Sequence, residues 1–268
     1  MLITTRAIIL GAVRTAGDKL VVRTLTEEAG RVDFIVYGAW SKRSGHKASY
    51  IFPLSAVDVT WDYRSNKELP TLKEAVPSYP LLDLFIQPEK STIAMFLAEI
   101  FARSIHKGEE TREIFDYCWQ TVASLEHTQR SIANFHIATL VGLSRLLGIQ
   151  PNTEKHRDNA YFDLSTSQYE YNMPLHAFYL NHQHTAFLPT LLRINYRNMK
   201  FYRLDRTDRQ FLLETIIKYF KLHIPEFGDV KSLKTLIEVY NEGWTVGEHT
   251  EFNKTIEARS SQKKVNDF

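Results

Sequence analysis

The first seventy-five residues break into five short runs with two-residue alternation, and no other feature of the chain constrains its fold as much. Leu2 to Val13 is apolar and β-branched and stops at the turn residues Gly17 and Asp18. Leu20 to Leu25 follows, closed by Glu28-Ala29-Gly30. Val32, Phe34 and Val36 then alternate with Asp33, Ile35 and Tyr37. In the run from Leu54 to Tyr63, Val57, Val59, Trp61 and Tyr63 alternate with Ala56, Asp58, Thr60 and Asp62, which makes Trp61 a core residue. Leu69 to Ala75 is a short fifth strand. Five such strands ahead of a helical region predict a small closed barrel, with the OB arrangement first among the options.

The long third connection is unusual in its charge. From Phe34 to Val57 there is no Asp or Glu, whereas Lys42, Arg43 and Lys47 are present with His46 among them. A basic, Gly/Ser-containing loop on a small barrel suits the backbone of single-stranded nucleic acid. Phosphate contacts are expected from Lys42, Arg43 and Lys47, supported by Arg14, Arg23 and Arg64. Trp40, Tyr37 and Tyr63 are the candidate stacking platforms.

After Pro77-Ser78-Tyr79-Pro80 the pattern changes period. Ile93, Phe96, Leu97, Ile100, Phe101 and Ile105 form one helical apolar face, which Gly108 is expected to end. Further helices are predicted from about Thr111 to Leu125 and from about Ser131 to Leu147, the latter stopped by Gly148 with Pro151 beyond. Another begins at Thr207, where Thr207 and Gln210 read as a capping box, and buries Leu212, Ile216 and Phe220. Residues 231–241 make a last short helix. Between Pro151 and about Thr190 the helical period is lost, and Tyr161 to Glu170 reads as a hairpin. The expected class is therefore α+β and multi-domain. Residues 1–77 form an OB-type barrel, and 78–245 a helical domain with an insert at about 151–190. Residues 246–268 form a polar tail expected to be partly disordered.

Net charge is only +2, so its distribution is more informative than its total. Residues 1–80 carry a balance of +3, residues 81–150 of −2, and residues 193–221 of +5. The single Cys118 sits in a helical apolar pattern and reads as a buried small side chain. No apolar run is long enough to span a membrane, and Arg6 and Arg14 interrupt the N-terminal apolar stretch, so a cytoplasmic, nucleoid-associated protein is expected. No P-loop, GxSxG, HExxH or GxGxxG occurs, and no cofactor is expected. Asp33, Asp58 and Asp62 could hold Mg²⁺ for a nuclease, but solvent-facing strand acids are the commoner reading. His156, His176, His182 and His184 match no structural zinc spacing, and no thiolate lies near them. An OB-containing RNA-binding or translation-associated protein is the alternative to a DNA-binding one.

Three N-terminal segments, MLITTRAIILGAVR, LVVRTLTEEAGRVDFIVYGAW and KRSGHKASYIFPL, resemble the N-terminal domain of the RecO family of bacterial recombination mediators. FHIATLVGLSRLLGIQP, from Phe135 to Pro151, resembles that family's central helix. RLDRTDRQFLLETIIKYFKLHI and LKTLIEVY resemble its C-terminal helices. The order and spacing of these segments, across most of residues 1–240, are more specific than any one of them. The resemblance implies a non-enzymatic mediator that binds single-stranded DNA and promotes strand annealing and RecA loading. Its implied partners are the single-strand binding protein SSB, RecR, RecA and in many bacteria RecF. It further implies that the acidic, Phe-ended tail of SSB meets the helical domain. Arg206, Arg209, Phe211, Lys218, Phe220 and Lys221 are the candidates there, in a stretch that also holds Arg193, Arg197 and Arg203. Some members of the family carry a four-cysteine zinc site near the insert, and this chain has none of those cysteines.

Overall fold

A computed structural model describes the chain except residues 16, 18, 39–49, 64–68, 108–111, 130–131, 154–158 and 244–268; the side chains of 240–243 are also left aside. The described residues form two compact units, one of Met1–Gln129 with Gly228–Val239 and one containing Arg130–Phe227.

The first unit opens with five antiparallel strands: β1 (Leu2–Arg14), β2 (Lys19–Thr26), β3 (Gly30–Tyr37), β4 (Ala56–Asp62) and β5 (Leu72–Pro77). Their spatial order is β3-β2-β1-β4-β5. The first half of β1 pairs with β4 and its second half with β2, so one long strand serves both sides of the barrel. A bulge between Ile9 and Gly11 bends it, and Gly11 sits there at φ +149°, a conformation open to glycine. The barrel closes where the Ile35 amide donates to the Pro70 carbonyl at 2.9 Å. This is the five-stranded OB fold the alternation predicts.

Inward positions fill the barrel with Ala7, Ile9, Val22, Phe34, Val59 and Trp61 among others. Trp61 is core as expected and meets Phe34 edge-on at 5.2 Å. Burying either ring contributes roughly 3 kcal/mol. Helices α1 (Asp83–Ile86), α2 (Pro88–Ser104) and α3 (Arg112–His127) follow, and α2 packs on β1. The expected stop of α2 at Gly108 lies outside the described residues; the helix in fact ends at Ser104, where Ile105 turns extended. Arg31 closes it by donating to the Ala102 and Ile105 carbonyls, and Lys107 bridges back to β3. Cys118 is fully buried in α3, and burial pushes its thiol pKa up, which leaves an inert thiol.

The second unit holds α4 (Phe135–Leu146), β6 (Tyr161–Asp163), β7 (Gln168–Glu170), β8 (Tyr179–Leu180), α5 (His182–Leu191) and α6 (Arg206–His223). Gly148, at φ +69°, stops α4 as predicted: its amide donates to Arg145 O and that of Ile149 to Ser144 O, a Schellman closure. The hairpin forms as predicted and is extended by β8. Two expectations for α6 need correction. Its cap is Asp205, whose side chain accepts from the Asp208 amide at 2.8 Å, two residues before the Thr207–Gln210 pair. Its core face is Leu213, Ile217 and Phe220, while Leu212 and Ile216 are only half-buried. A last helix, α7 (Ser232–Gly243), begins in the first unit, where Glu99 accepts from the amides of Lys231 and Ser232.

Candidate nucleic-acid interface

Strand register decides what the barrel shows to solvent. On β2 and β3, Lys19 faces Tyr37, Val21 faces Ile35 and Arg23 faces Asp33. The Lys19 ammonium lies 5.7 Å from the centre of the Tyr37 ring, which is 53% exposed. Arg14 ends β1 opposite Leu20 and is exposed, as is Arg23. The start of β5 reaches Ile35, two residues before Tyr37. The ends of β1 and β3 and the starts of β2 and β5 thus gather on one rim. The basic connection leaves this rim just after Gly38.

Asp33, the one acid within β2 and β3, is already paired. Asp33 is 8% exposed and takes the Lys107 ammonium at 2.9 Å, with Arg31 at 3.9 Å. Arg31 is not available to a ligand, because it closes α2 and burial holds its pKa below the usual guanidinium value. The rim therefore presents Arg14 and Lys19 beside an exposed tyrosine, with Arg23 four residues further along β2, a combination that suits a phosphate backbone and stacked bases. Lys19 was not singled out by charge spacing; its place opposite Tyr37 in the strand register is the signal that identifies it. Trp40, Lys42, Arg43, His46, Lys47 and Arg64 lie outside the described residues. Tyr63 is exposed at the end of β4.

The candidate nuclease acids do not converge. Asp58 accepts from the Ser78 hydroxyl at 2.8 Å, Asp62 from the terminal amine at 2.9 Å, and Asp33 is held by Lys107. The histidines do not converge either. His182 packs edge-on against Tyr161, His184 stacks on Phe211 at 4.0 Å, and His176 lies 3.2 Å from Asp163; His156 is outside the described residues. Among the described residues no group of His, Cys, Asp or Glu could hold a metal. The insert is held otherwise. Asp163 accepts from the Ser165 amide and hydroxyl, His223 Nε2 donates to the Leu164 carbonyl, and Phe162 packs on Tyr169. No helix among the described residues is long and apolar enough to cross a membrane.

The partner candidates on α6 separate by face. Lys218 and Lys221 are exposed, and the Lys218 ammonium sits 6.0 Å from the Phe178 ring. Phe178 and Leu222 are also exposed, so this edge combines cations with apolar surface. Arg206 is exposed in the first turn. Arg209 donates to the Leu204 carbonyl at 2.8 Å, Phe211 is half-buried, and Phe220 is fully buried.

Residues 1–80 match the family model described as recombination protein O N terminal, and residues 87–234 the one described as recombination protein O C terminal. The DNA repair protein RecO of Phocaeicola vulgatus is 34% identical over 241 residues, covering 90% of this chain and all of that protein. The RecO of Bacteroides fragilis is 34% identical over 242 residues, and that of Flavobacterium psychrophilum 28% over 243, each with 90% of this chain and the whole relative covered.

Proposed function

The chain belongs to the RecO family of DNA repair proteins, and we propose that it acts in that family as a recombination mediator without a catalytic step of its own. In this reading the barrel rim binds single-stranded DNA. Lys42, Arg43 and Lys47 in the acid-free connection meet phosphates together with Arg14, Lys19, Arg23 and Arg64, and Tyr37 and Trp40 stack bases. Neutralising two polyanions while leaving base edges free would favour annealing of complementary strands. The partners in this reading are SSB, RecR, RecA and, where present, RecF. The acidic tail of SSB would meet the exposed edge of α6, where Lys218 and Lys221 adjoin Phe178 and Leu222. The observation that carries the DNA-binding reading is the exposed Lys19–Tyr37 pair on the rim from which the acid-free basic connection leaves.

The test is anisotropy of a labelled single strand across a salt series, with the full chain and its Lys42→Ala, Arg43→Ala, Lys47→Ala triple variant. Each lost phosphate contact removes roughly 0.7 from the log–log salt slope, so the triple variant should lose about 2 and bind more weakly. RNA of the same sequence should compete no better than DNA, since the reading invokes no contact to a 2′-hydroxyl. An unchanged slope in a folded triple variant would remove the loop from the site, and preferential RNA binding would favour an RNA-binding protein instead.

A further inference from the structure

The connection from α5 to α6, residues 192–205, sorts its side chains by type. Ile194, Met199 and Leu204 are buried. Arg193, Arg197, Lys200, Arg203 and, in the first turn of α6, Arg206 are all exposed. Between Arg193 and Arg206 the one acid is Asp205, and its carboxylate is engaged as the cap of α6. Phe201 stands among these cations with 73% of its surface exposed, and the Lys200 ammonium lies 5.0 Å from the centre of its ring. A ring so exposed adds little to the core, and its value lies in what it offers a ligand.

The backbone beneath these side chains is held. Asn134, buried at the start of α4, donates from Nδ2 to the Met199 and Tyr202 carbonyls at 3.1 and 2.7 Å. Asn195 Oδ1 accepts from the Arg197 and Asn198 amides at 2.9 and 3.1 Å. The Tyr202 hydroxyl donates to the Thr190 carbonyl at 2.8 Å, and Tyr196 stacks on Phe135 at 4.7 Å. The cations and Phe201 are thus presented from a fixed frame, which lowers the ordering cost of binding.

Five outward cations and an outward ring fit a polyanion that carries flat, unpaired bases: its phosphates meet the cations and one base stacks on Phe201. An acidic peptide anchored by a phenylalanine needs a pocket for its own ring instead. The second unit has an apolar cavity, bounded by Leu140 of α4, Leu188 of α5, and Phe211, Leu212 and Ile216 of α6, but neither Phe201 nor any of the five cations borders it. We propose that residues 193–206 form a second contact surface for single-stranded DNA, in addition to the barrel rim. The ligand class rests on the DNA-binding reading above, whereas the surface itself requires none of the barrel's contacts.

Anisotropy of a labelled oligothymidylate, measured across a salt series with folded variants of the full chain, tests this. The triple variant Arg193→Ala, Arg197→Ala, Lys200→Ala should bind more weakly and lose about 2 from the log–log salt slope, at roughly 0.7 per phosphate contact. Phe201→Ala keeps every charge, so it should weaken binding by about tenfold with the slope unchanged, and Phe201→Tyr, which keeps a stacking face, should bind like the native chain. Cations that are only solvated, and a ring that touches nothing, give neither effect. The barrel variant Lys42→Ala, Arg43→Ala, Lys47→Ala separates the two surfaces. Losses in the connection variants, with or without a loss in the barrel variant, support the proposal. A loss in the barrel variant alone would overturn it and leave the barrel reading intact, and no binding by the native chain would overturn both. An acidic, Phe-ended peptide should bind the Arg193, Arg197 and Lys200 triple variant as tightly as the native chain; loss of the peptide without loss of the strand would overturn the assignment to DNA.

Discussion

Lys90 lies in α2 with no exposed surface, and replacing it with Met isolates what its charge does. Its ammonium donates to the Glu126 carbonyl at 2.5 Å and to Asp83 Oδ2 at 3.2 Å. The Glu126 carboxylate meanwhile accepts from the amides of Leu82, Asp83 and Leu84, each at 2.9 Å, and so caps α1. One lysine and one glutamate thus tie α1, α2 and the end of α3 together. Lys90→Met keeps the apolar stem and its packing but leaves the Glu126 carbonyl, one of the last of α3, without that donor. Such a loss costs roughly 1–3 kcal/mol. Asp83 keeps Gln129 at 2.9 Å and solvent, so it adds little. Against this, Met needs no desolvation of an ammonium, which returns part of the loss. The expected net loss is about 2 kcal/mol, read as a fall of about 1 M in the urea midpoint. Trp61 and Trp119, both in the first unit, report the transition by fluorescence. A loss under about 0.5 kcal/mol, or a gain, would refute the reasoning, because the ammonium's desolvation would then cancel its hydrogen bonds.

Two further outcomes test other parts of the chain. Lys218→Glu with Lys221→Glu should weaken binding of an acidic, Phe-ended SSB tail peptide by about tenfold or more and leave single-strand binding by the barrel unchanged; equal peptide affinity in a folded double variant would place the tail elsewhere. Asp208→Asn should raise stability in a pH-dependent way. The folded-state pKa of Asp208, about 6, lies above its ordinary 3.8, so ionisation penalises the fold from about pH 4 upward and fully above about pH 6. After allowing for solvent screening, the variant should gain about 1 kcal/mol at pH 7.5 and nearly nothing at about pH 3.5; a urea-midpoint difference that stays constant between these pH values would contradict it.

The barrel was legible because β3 and β4 largely alternate, so Phe34 and Val36, or Val57, Val59 and Trp61, expose the period directly, even though β1 is buried on both faces from Ala7 to Leu10. Gly148 was legible because a left-handed stop favours glycine. The helix α5 was not, since it opens on polar His182, Gln183 and His184 and contains Pro189. Its start depends on Asn181, whose side chain accepts from the His184 amide at 3.1 Å, a cap that carries no signal without the apolar run it normally precedes. The end of α2 was misread because a tertiary contact, Arg31 on the Ala102 and Ile105 carbonyls, does what a glycine was expected to do. Lys90 shows the same limit: nothing in its helical spacing marks it as buried, and the carbonyl of Glu126, thirty-six residues away, together with the Asp83 carboxylate makes its burial tolerable.

The surface of α6 shows why charge counted along a sequence can mislead. Residues 193–221 carry a balance of +5, which suggests one cationic groove with Phe211 and Phe220 inside it. A helix instead sorts its residues by angle, about 100° per position. Lys218 and Lys221 end on exposed surface, Phe220 in the core, and Phe211 on the cavity wall beside Asp208. Arg209 ends on a backbone carbonyl. The cations and the aromatic rings that a linear reading pairs are therefore mostly on different faces. What a ligand meets is set by the few groups on one face and by which of them already have partners. By that measure the cations that can meet an acidic segment are those of the outer edge, Lys218 and Lys221, whereas Phe211 and Phe220 of the same eighteen residues face inward.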